Sequence, residues 1–98
     1  MKSKRTVNTV LLAEYRTYPC LINNDDCKGD TCGHHLKTKG SGGNDEYRNL
    51  MALCRMHHSE VHQVGLTTFV KKYDLQNYMI DKEWSYGSLL NKWILRSR

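Results

Sequence analysis

The chain has 98 residues, 39% hydrophobic and 26% charged, which is enough for one small domain and leaves no room for a separate substrate domain. So thin an apolar core needs a staple, and four cysteines and five histidines can supply one, as disulfides or as metal ligands. The net charge of +5 suits a polyanionic partner, because lysines and arginines release counterions from phosphates.

The lead-in, residues 1 to 19, is basic, and its apolar positions Val7, Val10, Leu11 and Tyr15 fit either a short helix or an irregular strand. The only apolar stretch following the basic start, Val10 to Ala13, is short and has no small-residue cleavage site behind it, so no secretory signal is expected. No run nears the ~20 apolar residues of a membrane span. These features predict a cytoplasmic protein with reduced cysteines and no membrane association, which makes metal the preferred staple.

Residues 20 to 65 hold all four cysteines, all five histidines and six of the seven glycines, so the chemistry is expected there. Leu36 to Lys39 reads as a short strand, Gly40-Ser41-Gly42-Gly43-Asn44-Asp45 as a flexible turn, and Asn49 to Cys54 as a second strand. Arg55 to Gln63 has helical character and stops near Gly65. Residues 66 to 98 look helical: Leu66, Phe69, Val70 and Tyr73 form one apolar stripe, and Leu89, Leu90, Trp93 and Ile94 a second. With Trp84, these faces are expected to cover the preceding segment and complete its core. No internal repeat is present.

His58 and His62 are four residues apart, which on a helix stacks their side chains on one face where they can chelate one ion. Taken alone, such a pair is as readily two surface histidines. His34 and His35 are neighbours beside a predicted strand, so they point to opposite sides, and one can bind metal while the other faces substrate. Asn49 opens the second strand, where its amide can fix a neighbouring loop or imidazole.

The run Cys32-Gly33-His34-His35-Leu36, Gly40-Ser41-Gly42-Gly43, Asn49-Leu50-Met51-Ala52-Leu53-Cys54 and His57-His58 through His62 resembles the HNH, or ββα-metal (His-Me finger), endonuclease family. The resemblance covers roughly residues 19 to 73, including Gly65 and Phe69-Val70-Lys71-Lys72-Tyr73, and is closest to phage-borne members grouped with recombination-enhancing, RecA-dependent nucleases. It implies that His35 is the general base, that Asn49 orients it, and that His34, His58 and His62 bind the catalytic metal. The first position of the paired histidines is often an aspartate in the family, and histidine there shifts the preference toward nitrogen-loving ions.

Cys54-Arg55-Met56-His57 has the C-x2-H spacing of half a zinc site, and Cys20 and Cys27 can bring the other half, although the usual tight C-x2-C pair is missing. Because the position of His57 is commonly a cysteine ligand in the family, the expected structural zinc set is Cys20, Cys27, Cys54 and His57. An all-cysteine set that includes Cys32 and a disulfide scaffold are the rivals.

The expected fold is therefore α+β: a small β-hairpin crossed by a short helix, stapled by zinc and flanked by helices. It would form a single domain over residues 1–98, with its finger core at 20–65 and a C-terminal helical extension at 66–98. The resemblance implies metal-dependent hydrolysis of DNA phosphodiester bonds with a catalytic Mg2+, Mn2+, Ni2+ or Zn2+, in recombination, processing or packaging of phage DNA in the host cytoplasm. DNA would be held through Lys37, Lys39, Arg48, Arg55 and the basic termini, and a RecA-type recombinase filament is a candidate partner. The rival of another class is a catalytically inactive, zinc-stabilised module that binds DNA or a recombinase. Such a module needs its zinc ligands and basic face but has no use for His35.

Overall fold

The computed structural model describes residues 5–96. They form two compact units that divide between Ser59 and Glu60, inside a helix that runs unbroken through the division.

In the first unit the lead-in forms helix α1, Thr9–Tyr15, whose start is capped by the Asn8 side chain accepting the N–H of Leu11 at 3.0 Å. Tyr15 is buried with Leu50 and Ala52, and Leu11 and Leu12 pack against that cluster. Gly33 lies against the same cluster, since a Cβ there would meet Tyr15 and Leu50 at 3.4 Å, in van der Waals contact. Beyond α1 the chain is irregular. Leu21 donates to Ala52 O at 2.8 Å and Met56 to Lys28 O at 3.1 Å, which lays the Cys20 to Lys28 segment alongside the hairpin.

The hairpin consists of β1, Thr31–His35, and β2, Leu50–Cys54, antiparallel with Thr31 opposite Cys54 and His35 opposite Leu50. All five residues of β2 are buried, so both of its faces are covered and it reads as a continuous apolar run with no alternation. The expected first strand at Leu36–Lys39 is displaced. The ladder ends where Leu36 donates to Asn49 O at 2.9 Å, and the backbone of Lys37 pairs with the Asn49 side chain instead of a strand. Gly33, a poor strand former, hid the true β1.

The expected flexible turn is also replaced by an ordered one. A short 3-10 turn at Lys39–Ser41 is capped by Thr38, and Gly42 follows at φ 86°. Arg5 Nε then donates to Gly43 O at 3.0 Å, Asp45 N–H to Thr6 O at 2.8 Å, and Thr6 N–H to Asn44 Oδ1 at 2.6 Å. A second 3-10 turn, Tyr47–Asn49, leads into β2.

Helix α2, Arg55–Val64, follows β2 without a loop and ends at Gly65, whose N–H still donates to Val61 O at 2.9 Å while its backbone, at φ 86° and ψ 158°, turns out of the helix in a conformation open to glycine. The expected hairpin-then-helix order is thus present, with the helix end as read from Gly65.

The second unit continues with α3, Leu66–Lys72, and α4, Gln76–Asp81. Phe69, Val70, Met79 and Trp84 are among its buried residues. The reading of 66–98 as wholly helical is overturned beyond Asp81. Trp84–Gly87 and Lys92–Leu95 are strands β3 and β4, paired antiparallel with Trp84 opposite Leu95. Asn91 at φ 54° turns the chain, and Trp93 and Leu95 alternate in burial with Lys92 and Ile94, a period of two that helix spacing cannot supply. Leu89 and Leu90 lie exposed in the connecting turn and are not part of a core stripe. No helix among the described residues is long and apolar enough to cross a membrane.

Candidate active site and metal centres

Two groups of metal-capable side chains form where the hairpin meets α2. The first is Cys20, Cys27, Cys54 and His57. The Sγ atoms of Cys20, Cys27 and Cys54 lie 3.6, 3.6 and 3.1 Å from His57 Nδ1. Zinc holding sulfur at ~2.3 Å and imidazole nitrogen at ~2.0 Å in a tetrahedron sets S and N about 3.5 Å apart, so this donor set fits zinc through Nδ1. Burial pushes the Cys54 thiol up, but the N–H and ring of His57 with the Lys28 N–H outweigh it and bring it down to about 6, a state ready to act as a thiolate. None of the four cysteines is in a disulfide. Cys20 and Cys27 reach this place because the Leu21 and Lys28 backbone bonds fold their segment against β2 and α2.

Cys32, the rival zinc ligand, is outside this group. Its Sγ lies 3.4 Å from His58 Nδ1. Burial raises its thiol pKa, while Arg16 opposes that.

The second group is His34, His58 and His62, with ring nitrogens within 4.8 Å of one another. His34 comes from β1 and is buried. Its ring meets that of His58 edge-on at 4.9 Å between centroids. His62 follows one turn later on α2 and is exposed. Three imidazoles so close suit one divalent ion of nitrogen preference, with positions left over for oxygen ligands.

His35 ends β1, and its Nε2 lies 2.7 Å from Asp45 Oδ1. The Asp45 side chain is fully buried and also meets Arg5 Nη2 at 2.6 Å and the N–H of Asn8 at 2.9 Å. Burial raises the Asp45 carboxyl, but the bonds from His35 and Asn8 and the charge of Arg5 outweigh it and hold it below the usual carboxylate range. Sequence reasoning missed Asp45, because an aspartate in a Gly-rich turn looks like ordinary turn chemistry. Asn49 is fully buried and spends its amide on the loop. Its Oδ1 accepts from Lys37 N–H at 2.7 Å, and its Nδ2 donates to Lys37 O and Asn44 O at 3.0 Å each. It therefore holds the loop that carries Asp45, while the ring of His35 is held by Asp45 itself.

Of the candidate DNA-binding residues, Lys37, Lys39 and Arg55 are exposed, whereas Arg48 is tied to Glu46 at 3.0 Å. The basic ends at residues 1–4 and 97–98 lie outside the described residues.

The sequence model of the family described as "Putative HNHc nuclease" matches residues 13–91, a span that includes both metal-capable groups, His35 and Asn49. No curated protein and no solved structure matches the chain.

Proposed function

From the premise that this chain belongs to the HNHc nuclease family, we propose that it is a metal-dependent endonuclease hydrolysing DNA phosphodiester bonds on a ββα-metal finger built of β1, β2 and α2. The observation that carries this reading is the close set of His34, His58 and His62, adjoining His35 on β1.

In this reading His34, His58 and His62 hold the catalytic divalent ion, which when bound supplies charge for the phosphate oxygens and the leaving oxygen. His35 takes the proton of the attacking water, since a neutral imidazole is a competent base near neutral pH. Asn49 fixes the loop opposite His35. Cys20, Cys27, Cys54 and His57 hold a structural zinc that fastens the segment before the hairpin to the start of α2. Lys37, Lys39 and Arg55 contact phosphates without reading bases, and Arg48 joins them where Glu46 releases it. The resemblance to phage-borne, RecA-dependent members extends the reading to recombination, processing or packaging of DNA in the cytoplasm, with a recombinase filament as partner.

The test is incubation with supercoiled plasmid in Mg2+, Mn2+, Ni2+ or Zn2+, with EDTA as control. His35→Ala should keep fold and metal content while cleavage drops about 10²–10⁴-fold, the scale of lost general-base catalysis. Near-normal nicking by that variant removes the assignment of the base. DNA binding without cleavage in any metal would favour the inactive binding module. Faster cutting of recombinase-coated strands than of bare ones would establish the filament as partner.

A further inference from the structure

His35, part-buried at the end of β1, has a fully buried carboxylate, Asp45, facing one ring nitrogen, and that carboxylate receives further donors on both oxygens. Oδ1 receives Arg5 Nη2 at 2.6 Å as well as His35 Nε2 at 2.7 Å, and Oδ2 receives the N–H of Asn8 at 2.9 Å. An ionised carboxylate only accepts hydrogen bonds. The bond to His35 is therefore donated by the ring, so Nε2 carries the hydrogen and the neutral imidazole has its lone pair on Nδ1.

On the nuclease reading above, we propose that Asp45 is the positioning residue of the reaction: it fixes His35 in the Nε2–H form so that Nδ1 is the nitrogen that accepts the proton of the attacking water. Arg5 and the Asn8 N–H position Asp45 in turn. As the water O–H bond breaks, its proton forms the new Nδ1–H bond. The oxygen's electron pair forms the bond to phosphorus. The bond to the leaving oxygen breaks with its pair on that oxygen, which takes a proton from solvent. The imidazolium left on His35 faces the Asp45 carboxylate, which stabilises the charge where it forms.

The Arg5 to Asn8 segment makes this arrangement possible. It is joined to residues 43–45 by the Arg5–Gly43, Thr6–Asn44 and Asp45–Thr6 hydrogen bonds, so a stretch remote in sequence completes the surroundings of the base. Asparagine at position 45 cannot reproduce the pattern. Turned either way, its amide NH2 meets a donor that aspartate accepts, the Asn8 N–H on one side or the Arg5 and His35 N–H groups on the other.

The experiment pairs a spectrum with kinetics, both on the full chain loaded with zinc. Nitrogen NMR of the neutral His35 ring in the wild type should show Nε2–H. An Nδ1–H ring there overturns the proposal whether or not any variant folds. Asp45→Asn should shift or average that tautomer and lower kcat for plasmid nicking about 10²-fold or more, with KM within about threefold, because Asp45 is buried and touches no substrate. Added to His35→Ala, the same change should cost nothing further. A purely structural aspartate would instead slow both backgrounds alike, which overturns the proposal. Wild-type nicking that Asp45→Asn leaves intact overturns this inference alone. Absence of wild-type nicking in every metal overturns the nuclease reading, and this inference with it.

Discussion

His57 and His58 are adjacent yet belong to different groups, His57 with three cysteines and His58 with two histidines. Successive helical residues do not face one another, so consecutive imidazoles serve different partners. His57→Ala should lose stoichiometric zinc and melt at lower temperature, because zinc binding there is also folding free energy. His58→Ala should melt normally, keep its zinc and fail to cut. Melting temperature, bound zinc and nicking rate for the two variants give opposite patterns, and reversed patterns would exchange the two assignments. Asp45 allows a second prediction. Its folded pKa lies below the ordinary value, so it contributes stability that is fully present above the unfolded pKa of ~3.9 and is lost as pH falls through the lowered folded value. The gap in melting temperature between wild type and Asp45→Asn should close as pH falls through the lowered folded value, while acid loss of metal ligands affects both proteins alike. At this scale the histidines were legible because spacing alone puts His58 and His62 on one helix face. Asp45 was not, because its meaning comes from Arg5 and Asn8, some 40 and 37 positions away.

Among the elements, the loop between β1 and β2 is the most exacting. A Cβ on Gly43 would lie 1.8 Å from Lys37 O and 2.8 Å from Thr38 O, both backbone atoms. Gly43→Ala should therefore lower stability by about 1–3 kcal/mol and slow cleavage as well, since the loop carries Asp45 to His35. Denaturant unfolding and plasmid nicking check both, and a variant as stable and active as wild type would show that the loop is slack. The element reading succeeded where the pattern was local: the apolar run of β2, the start of α2 and its glycine stop. It failed for β1 because Gly33 and two histidines carry no strand signature. It failed for β3 and β4 because Leu89, Leu90, Trp93 and Ile94 fit a helical stripe by spacing, while the chain turns over residues 88–91 with Asn91 at φ 54°.

For the molecule as a whole, on the proposed function the net charge of +5 would govern encounter with DNA more than its fold does. Binding should weaken steeply with salt, and removing Lys37 or Lys39 should lower the log–log slope by about one each. Arg48→Gln should change it less, because Glu46 already neutralises that guanidinium. An affinity that stays flat between low and physiological salt would exclude binding through this charge. Composition also pointed to a staple, and Cys20, Cys27, Cys54 and His57 do come together as a group that could hold a metal ion.

Helix α2 has ten residues; His57 lies in its first turn just after Cys54, and His58 and His62 follow along it. A helix that short is marginal on its own, so an ion fixing its first turn would lower the cost of presenting the later pair. Thermodynamic linkage then requires the converse, each ion tightening the other's hold by the same factor. The two centres would behave as a cooperative pair, and the nuclease as a sensor. Scarce zinc would raise the concentration of the second metal that cutting requires, and returning zinc would lower it again with no new protein made.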